Sequence, residues 1–130
     1  MSIEGVKEQK SIEPPESQKF DSVESFRVHF ERLCEEEKEE GGVSHFTFGE
    51  SFQPKELTEE DLEIWNLTQD YLDDGIIYGE FMEKFRAYQL GLANKDLNFS
   101  SRGKFSSFLT NLIMAKDFEN LRRQKEAENN

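Results

Sequence analysis

The sequence predicts a mainly α-helical fold, with about four helices packed in one compact domain, one short extended segment, and a disordered acidic arm in front. Its 130 residues are the size of one domain, and 12 Phe, three Tyr and one Trp supply apolar surface for a core. Apolar residues recur at helical spacing in four stretches of the chain. Capping residues or glycines bound these stretches, so periodicity and stop signals agree on the helical class.

The arm and the first helix follow from a change of pattern near Asp21. Residues 1–20 hold two adjacent prolines, many Glu, Lys and Ser, and no hydrophobic period, which predicts a flexible arm. From Asp21 an apolar stripe recurs every three or four residues and predicts a helix of about 15 residues that Gly41 and Gly42 end. The stripe consists of Val23, Phe26, Phe30, Leu33 and Cys34.

An extended segment and two further helices come next. Residues 43–48 alternate with period two and predict a short strand that must pair with another segment or with a second copy of the chain. A capping box from Thr58 to Asp61 begins the second helix, and Gly75 ends it. The third helix is predicted from about Gly79.

Ser100 or Ser101 is expected to cap the fourth helix. Its predicted buried stripe is Phe105, Phe108, Leu109, Leu112 and Ile113, continuing through Phe118 and Leu121. The polar residues 122–130 are expected to form a frayed tail, so the helical domain spans 21–121.

Charge is divided unevenly along the chain. Residues 1–83 hold 7 Lys and Arg against 23 Asp and Glu, a net charge of −16, whereas residues 84–130 hold 9 against 5, a net charge of +4. This asymmetry indicates either that the acidic part lies over the basic part within one molecule, or that the two parts face different partners. In a third interpretation, the acidic side chains have no partner and only form the solvent-exposed faces of the helices.

The residues that could catalyse a reaction or bind a cofactor are few in this sequence. His29, His45 and Cys34 are the only residues of their types, and they do not sit at the spacing of a nucleophile with its base or of a zinc site. No glycine-rich phosphate loop occurs. We therefore expect no enzyme, no catalytic residue, no metal ligand and no cofactor.

The acidic segment 70–81 is similar to the calcium loop of an EF-hand, but its spacing departs from that pattern. With Gly75 at the sixth position, Leu72 replaces the acid at the third, and Glu80 falls one residue short of the twelfth. A helix ended by Gly75 explains the same residues, so calcium binding stays open.

The leading hypothesis from the sequence is a non-enzymatic protein–protein interaction or regulatory protein. Its acidic front half would dock on a basic surface of a partner protein through the run Glu35, Glu36, Glu37, Glu39 and Glu40. Without an apolar leader, a membrane-length apolar run or a cysteine pair, the chain is expected to be cytoplasmic or nuclear and to avoid membranes.

The alternative is a helix-turn-helix-like nucleic-acid-binding protein that uses the helix around residues 100–116, with the acidic segment as an internal brake. Basic side chains near the start of a helix can reach DNA or RNA phosphates, and short polar side chains can reach the edges of the nucleobases. The residues with this character are Arg102, Lys104, Ser106, Ser107, Thr110, Asn111 and Lys116. A solvent-exposed polar helix face explains the same residues.

Overall fold

The computed structural model describes residues 18–39 and 51–129, and within them the chain forms four α-helices and no strand. These are α1 (Val23–Glu39), α2 (Glu59–Leu72), α3 (Tyr78–Asn94) and α4 (Ser101–Asn129), with a 3-10 turn at Pro54–Glu56. The predicted mainly helical fold in one compact domain is confirmed. The extended segment predicted at 43–48 lies outside the described residues, as do residues 1–17 of the predicted arm.

Helix α2 lies at the centre, where its backbone approaches α1, α3 and α4. It runs in the same direction as α4, because Asp61 bonds to Arg102 near the start of both helices and Tyr71 bonds to Asp117 near the end of α2. Helix α3 runs along α2 in the opposite direction, since Tyr78 at its start lies beside Tyr71 near the end of α2 and Tyr88 bonds to Asp61 near the start of α2. Helix α4 therefore continues for about 12 residues, or roughly 18 Å, past the end of α2.

The core is mainly aromatic and joins helices that are distant in sequence. Phe26 and Phe30 of α1 are fully buried and contact the ring of Phe105 on α4 at centroid distances of 5.6 and 5.5 Å. The ring of Trp65 on α2 lies 5.2 Å from Phe30, edge to face. Tilted and edge-to-face aromatic pairs of this kind stabilise a fold beyond the area they bury.

The start of α2 matches the predicted capping box. The backbone N–H of Thr58 donates to Asp61 Oδ2 at 2.6 Å, which satisfies one of the amides left unpaired at a helix start. The end differs slightly from the prediction, because α2 stops at Leu72 and Asp74 takes the left-handed conformation, with φ of 63°. Asp is one of the few residues besides glycine that adopt this conformation without a large cost.

The last three residues of the predicted flexible arm, 18–20, are fixed on α2. The side chain of Asn66 accepts from the backbone N–H of Phe20 at 3.0 Å and donates to the Phe20 carbonyl at 2.8 Å. Trp65 Nε1 donates to the carbonyl of Gln18 at 2.6 Å. Polar side chains of α2 thus bind this segment by its backbone, which a search for hydrophobic periodicity does not detect.

The far end of α4 corrects the predicted buried stripe. Phe118 and Leu121 are 68% and 58% exposed, because α2 ends near Asp117 and does not reach far enough to cover them. The predicted frayed tail is helical through Asn129 in the structure. Glu119 stabilises this part locally through ion pairs with Arg122 and Arg123, three and four residues further on.

Candidate interaction site

The exposed face of α1 carries a stripe of acids around one apolar side chain. Residues 24, 28, 31 and 35 follow at steps of four, three and four, so they share one side of the helix. We call Glu24, Val28, Glu31 and Glu35 the acidic α1 stripe. All four side chains are exposed, and among the described residues no ion pair or hydrogen bond reaches the three carboxylates. Within the described part of the chain, these three carboxylates are therefore exposed and unpaired.

The bases of α1 do little to offset this charge. Arg27 turns towards the core side and its Nε donates to the carbonyl of Leu57 at 2.7 Å, which ties α1 to the segment before α2. Arg32 stays exposed next to a shallow hollow of about 460 Å³ that Phe20, Val28 and His29 help to line. Burial of the His29 ring, together with the positive charge of Arg32, lowers the pKa of His29 below its usual value.

The predicted acidic site is only partly described. Glu35 and Glu36 are exposed on α1, as expected. Glu37 and Glu39 belong to α1, but their side chains lie outside the described part, and so does all of Glu40. Sequence reasoning followed the contiguous run of Glu and missed Glu24 and Glu31, although their seven-residue separation places both on the side of the helix where Glu35 lies.

The bases predicted to reach nucleic acid are bound within the molecule. Arg102 donates from Nε to Asp61 Oδ2 and from its terminal nitrogen to Glu60 Oε1, both at 2.9 Å. Lys104 donates to the hydroxyl of Ser51. Lys116 donates to the carbonyl of Leu72 at 3.2 Å and pairs with Asp74 at 2.9 Å. To contact phosphates, Arg102 and Lys116 would have to give up carboxylate partners.

The four polar residues of that predicted face are not all accessible. Ser106 is buried, and its carbonyl accepts from the Thr110 hydroxyl at 3.1 Å. The side chain of Gln89 on α3 lies 3.4 Å from the Thr110 hydroxyl. Ser107 and Asn111 remain exposed. The face that sequence analysis described as one surface is therefore divided between the α3–α4 contact and solvent.

A buried network explains why Arg102 points inward. The Asp61 side chain has no exposed surface, and its Oδ2 accepts from Arg102 and from both the amide and the hydroxyl of Thr58. Its Oδ1 accepts from the Tyr88 hydroxyl at 2.5 Å. Burial and the charge of Asp61 raise the pKa of Tyr88 well above its usual range. This carboxylate joins α2, α3 and α4 and is enclosed by its donors.

Two carboxylates of the segment that is similar to a calcium loop are paired with lysines outside it. Asp74 pairs with Lys116, which lowers the pKa of Asp74, and Asp70 pairs with Lys19. In residues 18–39 and 51–129, no group of three or more His, Cys, Asp or Glu is arranged to hold a metal ion.

None of the helices in the described part of the chain is long and apolar enough to span a bilayer. Comparisons of the chain with protein families, with curated proteins and with solved structures found no match.

Proposed function

We propose that this chain is a non-enzymatic protein–protein interaction or regulatory protein, and that the acidic α1 stripe docks on a basic surface of a partner protein. The observation that supports this proposal is the contrast between the two charge signs. Three stripe carboxylates, those of Glu24, Glu31 and Glu35, face solvent without a described partner. Bases of α4 are meanwhile engaged by acids of the same molecule.

Basic residues from the last third of the chain pair with acids that lie outside the acidic α1 stripe. Lys95 and Arg102 both pair with Glu60, and Lys116 pairs with Asp74. These three bases come from residues 84–130, and the acids come from the front part of the chain. Two acids of the front part thus pair with bases of the end part, while the acidic α1 stripe is left out of this pairing.

The stripe combines long-range attraction with a contact that can give specificity. Clustered exposed charges of one sign raise the rate at which an oppositely charged partner arrives. Val28, which is 54% exposed between the acids, offers apolar surface that becomes buried on docking. Because the charges are exposed, salt should weaken the complex, with screening over about 10 Å at 0.1 M ionic strength.

The proposal is tested by reversing the stripe charges in the full chain. The variant Glu24→Lys, Glu31→Lys, Glu35→Lys should lose partners that the immobilised wild-type chain recovers from a cell lysate at low salt. Since an exposed ion pair contributes about 0.2–1 kcal/mol, reversing three charges should lower affinity by roughly tenfold or more. Quantitative mass spectrometry of the recovered proteins measures the effect.

A matched control separates the stripe from total charge. Glu63, Glu80 and Glu83 are exposed acids on α2 and α3, and changing all three to Lys alters the net charge by the same amount. The control should retain the partners that the stripe variant loses. Equal recovery by the wild type and the stripe variant, or equal loss in both variants, would contradict docking through α1.

A further inference from the structure

One side of α2 binds the main chain of the short segment before α1. Asn66 pairs with both the N–H and the carbonyl of Phe20, at 3.0 and 2.8 Å. Trp65 Nε1 donates to the Gln18 carbonyl at 2.6 Å, and Gln69 Oε1 accepts from the Gln18 N–H at 3.2 Å. Both backbone groups of these two segment residues therefore have a side-chain partner on α2.

The α2 side chains that make these contacts form one continuous site. Trp65 and Gln69 are four residues apart, as are Asn66 and Asp70, so the two pairs form neighbouring rows on one side of the helix. Asp70 adds an ion pair with Lys19 of the segment. We call Trp65, Asn66, Gln69 and Asp70 the α2 polar site.

Two members of the α2 polar site are buried and make their side-chain hydrogen bonds to the segment. Trp65 is 7% exposed and Gln69 is 4% exposed. Both bonds go to the main chain of Gln18. A buried polar group without a partner costs free energy, so whatever covers these atoms has to offer a donor and an acceptor to them. Any extended peptide offers both, since each residue except proline carries one N–H and one carbonyl.

The segment itself is held by few buried contacts. Its described residues belong to neither a helix nor a strand, and Gln18 and Lys19 are exposed. Phe20 is partly buried, with its ring 5.9 Å from the ring of Phe26 and 5.0 Å from that of His29. Segments with little buried apolar surface open locally at a small cost in free energy. The α2 polar site can therefore be vacated without unfolding the helices.

We propose that the α2 polar site is a peptide-binding site, which residues 18–20 fill in the free chain and which an extended segment of a partner protein takes over. Recognition through the main chain sets the mode of binding, and side-chain contacts set the preferred sequence. Asp70 favours a basic residue, and the aromatic rings beside Phe20 favour an aromatic residue directly after it. The fitting partner segment is thus a basic residue followed by an aromatic one.

The chain's own segment competes with any partner for this site. Only two residues separate Phe20 from the start of α1, and so short a tether keeps the segment at an effective concentration in roughly the millimolar range. Weakening the own segment should therefore raise the affinity for a foreign one. No carboxylate of the acidic α1 stripe belongs to the α2 polar site, so the two proposals stand or fail separately.

The proposal is tested with a fluorescent peptide that has the sequence of residues 15–22, added to the full chain. In the variant Phe20→Pro the own segment loses its ring and the N–H that donates to Asn66, so the site is vacated more often. Fluorescence anisotropy should show binding to this variant that is at least tenfold tighter than binding to the wild type. Unchanged circular dichroism would show that the helices remain.

Lys19→Glu is a second way to vacate the site, because it reverses the charge that pairs with Asp70. It keeps the ring of Phe20, so the affinity for the peptide should rise by a smaller factor, about two- to fivefold. If neither variant binds the peptide more tightly than the wild type does, the proposal is overturned.

Two methylated peptides test whether the site recognises the main chain. Methylation of the nitrogen that corresponds to Phe20 removes the donor to Asn66, so binding to the Phe20→Pro chain should weaken by about tenfold. Methylation of the nitrogen that corresponds to Lys19 is the matched control, since among the described residues that N–H donates no hydrogen bond. Equal binding of the two methylated peptides would overturn main-chain recognition by the α2 polar site.

Discussion

Replacing Asp61 with Ala should destabilise the fold more than any single change on the surface of α2. Arg102 and Tyr88 would lose a buried acceptor, and the amide of Thr58 would lose its cap. Removing one partner of a buried ion pair typically costs about 3–5 kcal/mol, because it leaves an uncompensated charge. Glu60 still accepts from Arg102 after the change, so we expect the lower end of that range, about 3 kcal/mol.

This free energy corresponds to a large shift in the unfolding temperature. At about 2 cal/mol/K of unfolding entropy per residue, each kcal/mol lowers Tm by roughly 4 °C for a chain of this length, so Asp61→Ala should lower Tm by about 12 °C. Thermal and urea unfolding followed by circular dichroism measure the two quantities. Glu63→Ala, two residues further along the same helix, is the control, since Glu63 is exposed and should change stability by less than about 0.5 kcal/mol.

A double-mutant cycle with Arg102→Met examines the cause of the loss. If the unpaired buried charge causes the loss, the double variant should be more stable than the sum of the two single changes predicts, by about 1–3 kcal/mol. A loss below about 1 kcal/mol for Asp61→Ala, or additive effects in the cycle, would refute the view that this network holds α2, α3 and α4 together.

Two further predictions concern the packing of α4 and the dependence of stability on pH. Gly103→Ala should cost about 1–3 kcal/mol of unfolding free energy, because its Cβ would lie 2.1 Å from the Asn98 carbonyl oxygen. Gly91→Ala, with nothing within 4 Å, should instead stabilise α3 by about 0.5–1 kcal/mol, and urea unfolding distinguishes the two. Burial and Arg32 hold the pKa of His29 below its unfolded value, so the unfolded state binds more protons and stability should fall as pH drops from about 7.5 to 5.5. His29→Asn should reduce this dependence of Tm on pH, and an unchanged dependence would contradict the assignment.

Much of the helical pattern could be read from the sequence, since local signals produce it. The predicted capping box of Thr58 and Asp61 does begin α2, because its side-chain and backbone groups are three residues apart on one chain. Ser100, one of the two predicted caps, precedes α4 and its hydroxyl accepts from the backbone N–H of Gly103 at 3.3 Å. The stripe of α1 that contains Phe26 and Phe30 is buried, since apolar residues at helical spacing lie on one side of a helix whatever covers them.

The candidate site was predictable only in part. The acidic run drew attention to Glu35 and Glu36, and both are exposed on α1. Whether a carboxylate pairs with a basic side chain of the same molecule depends on the neighbouring helices. Spacing within one helix therefore could not show that Asp61 is paired with Arg102 while Glu35 is exposed. From the sequence, Arg102 was predicted to contact nucleic acid, because nothing in the nearby sequence shows that α2 brings a carboxylate to Arg102.

The sequence by itself determined which stretches are helical and which side of each could be apolar, because these properties depend on residues three or four apart. Only the tertiary structure decided what each side meets. Phe118 continues the apolar spacing of α4, yet it faces solvent because α2 ends before reaching it. Asp61 and Glu31 are both acids on helices, but Asp61 is enclosed by donors from α3 and α4 while Glu31 faces solvent. Burial and charge pairing are fixed by helix lengths and directions, which no single stretch of chain encodes.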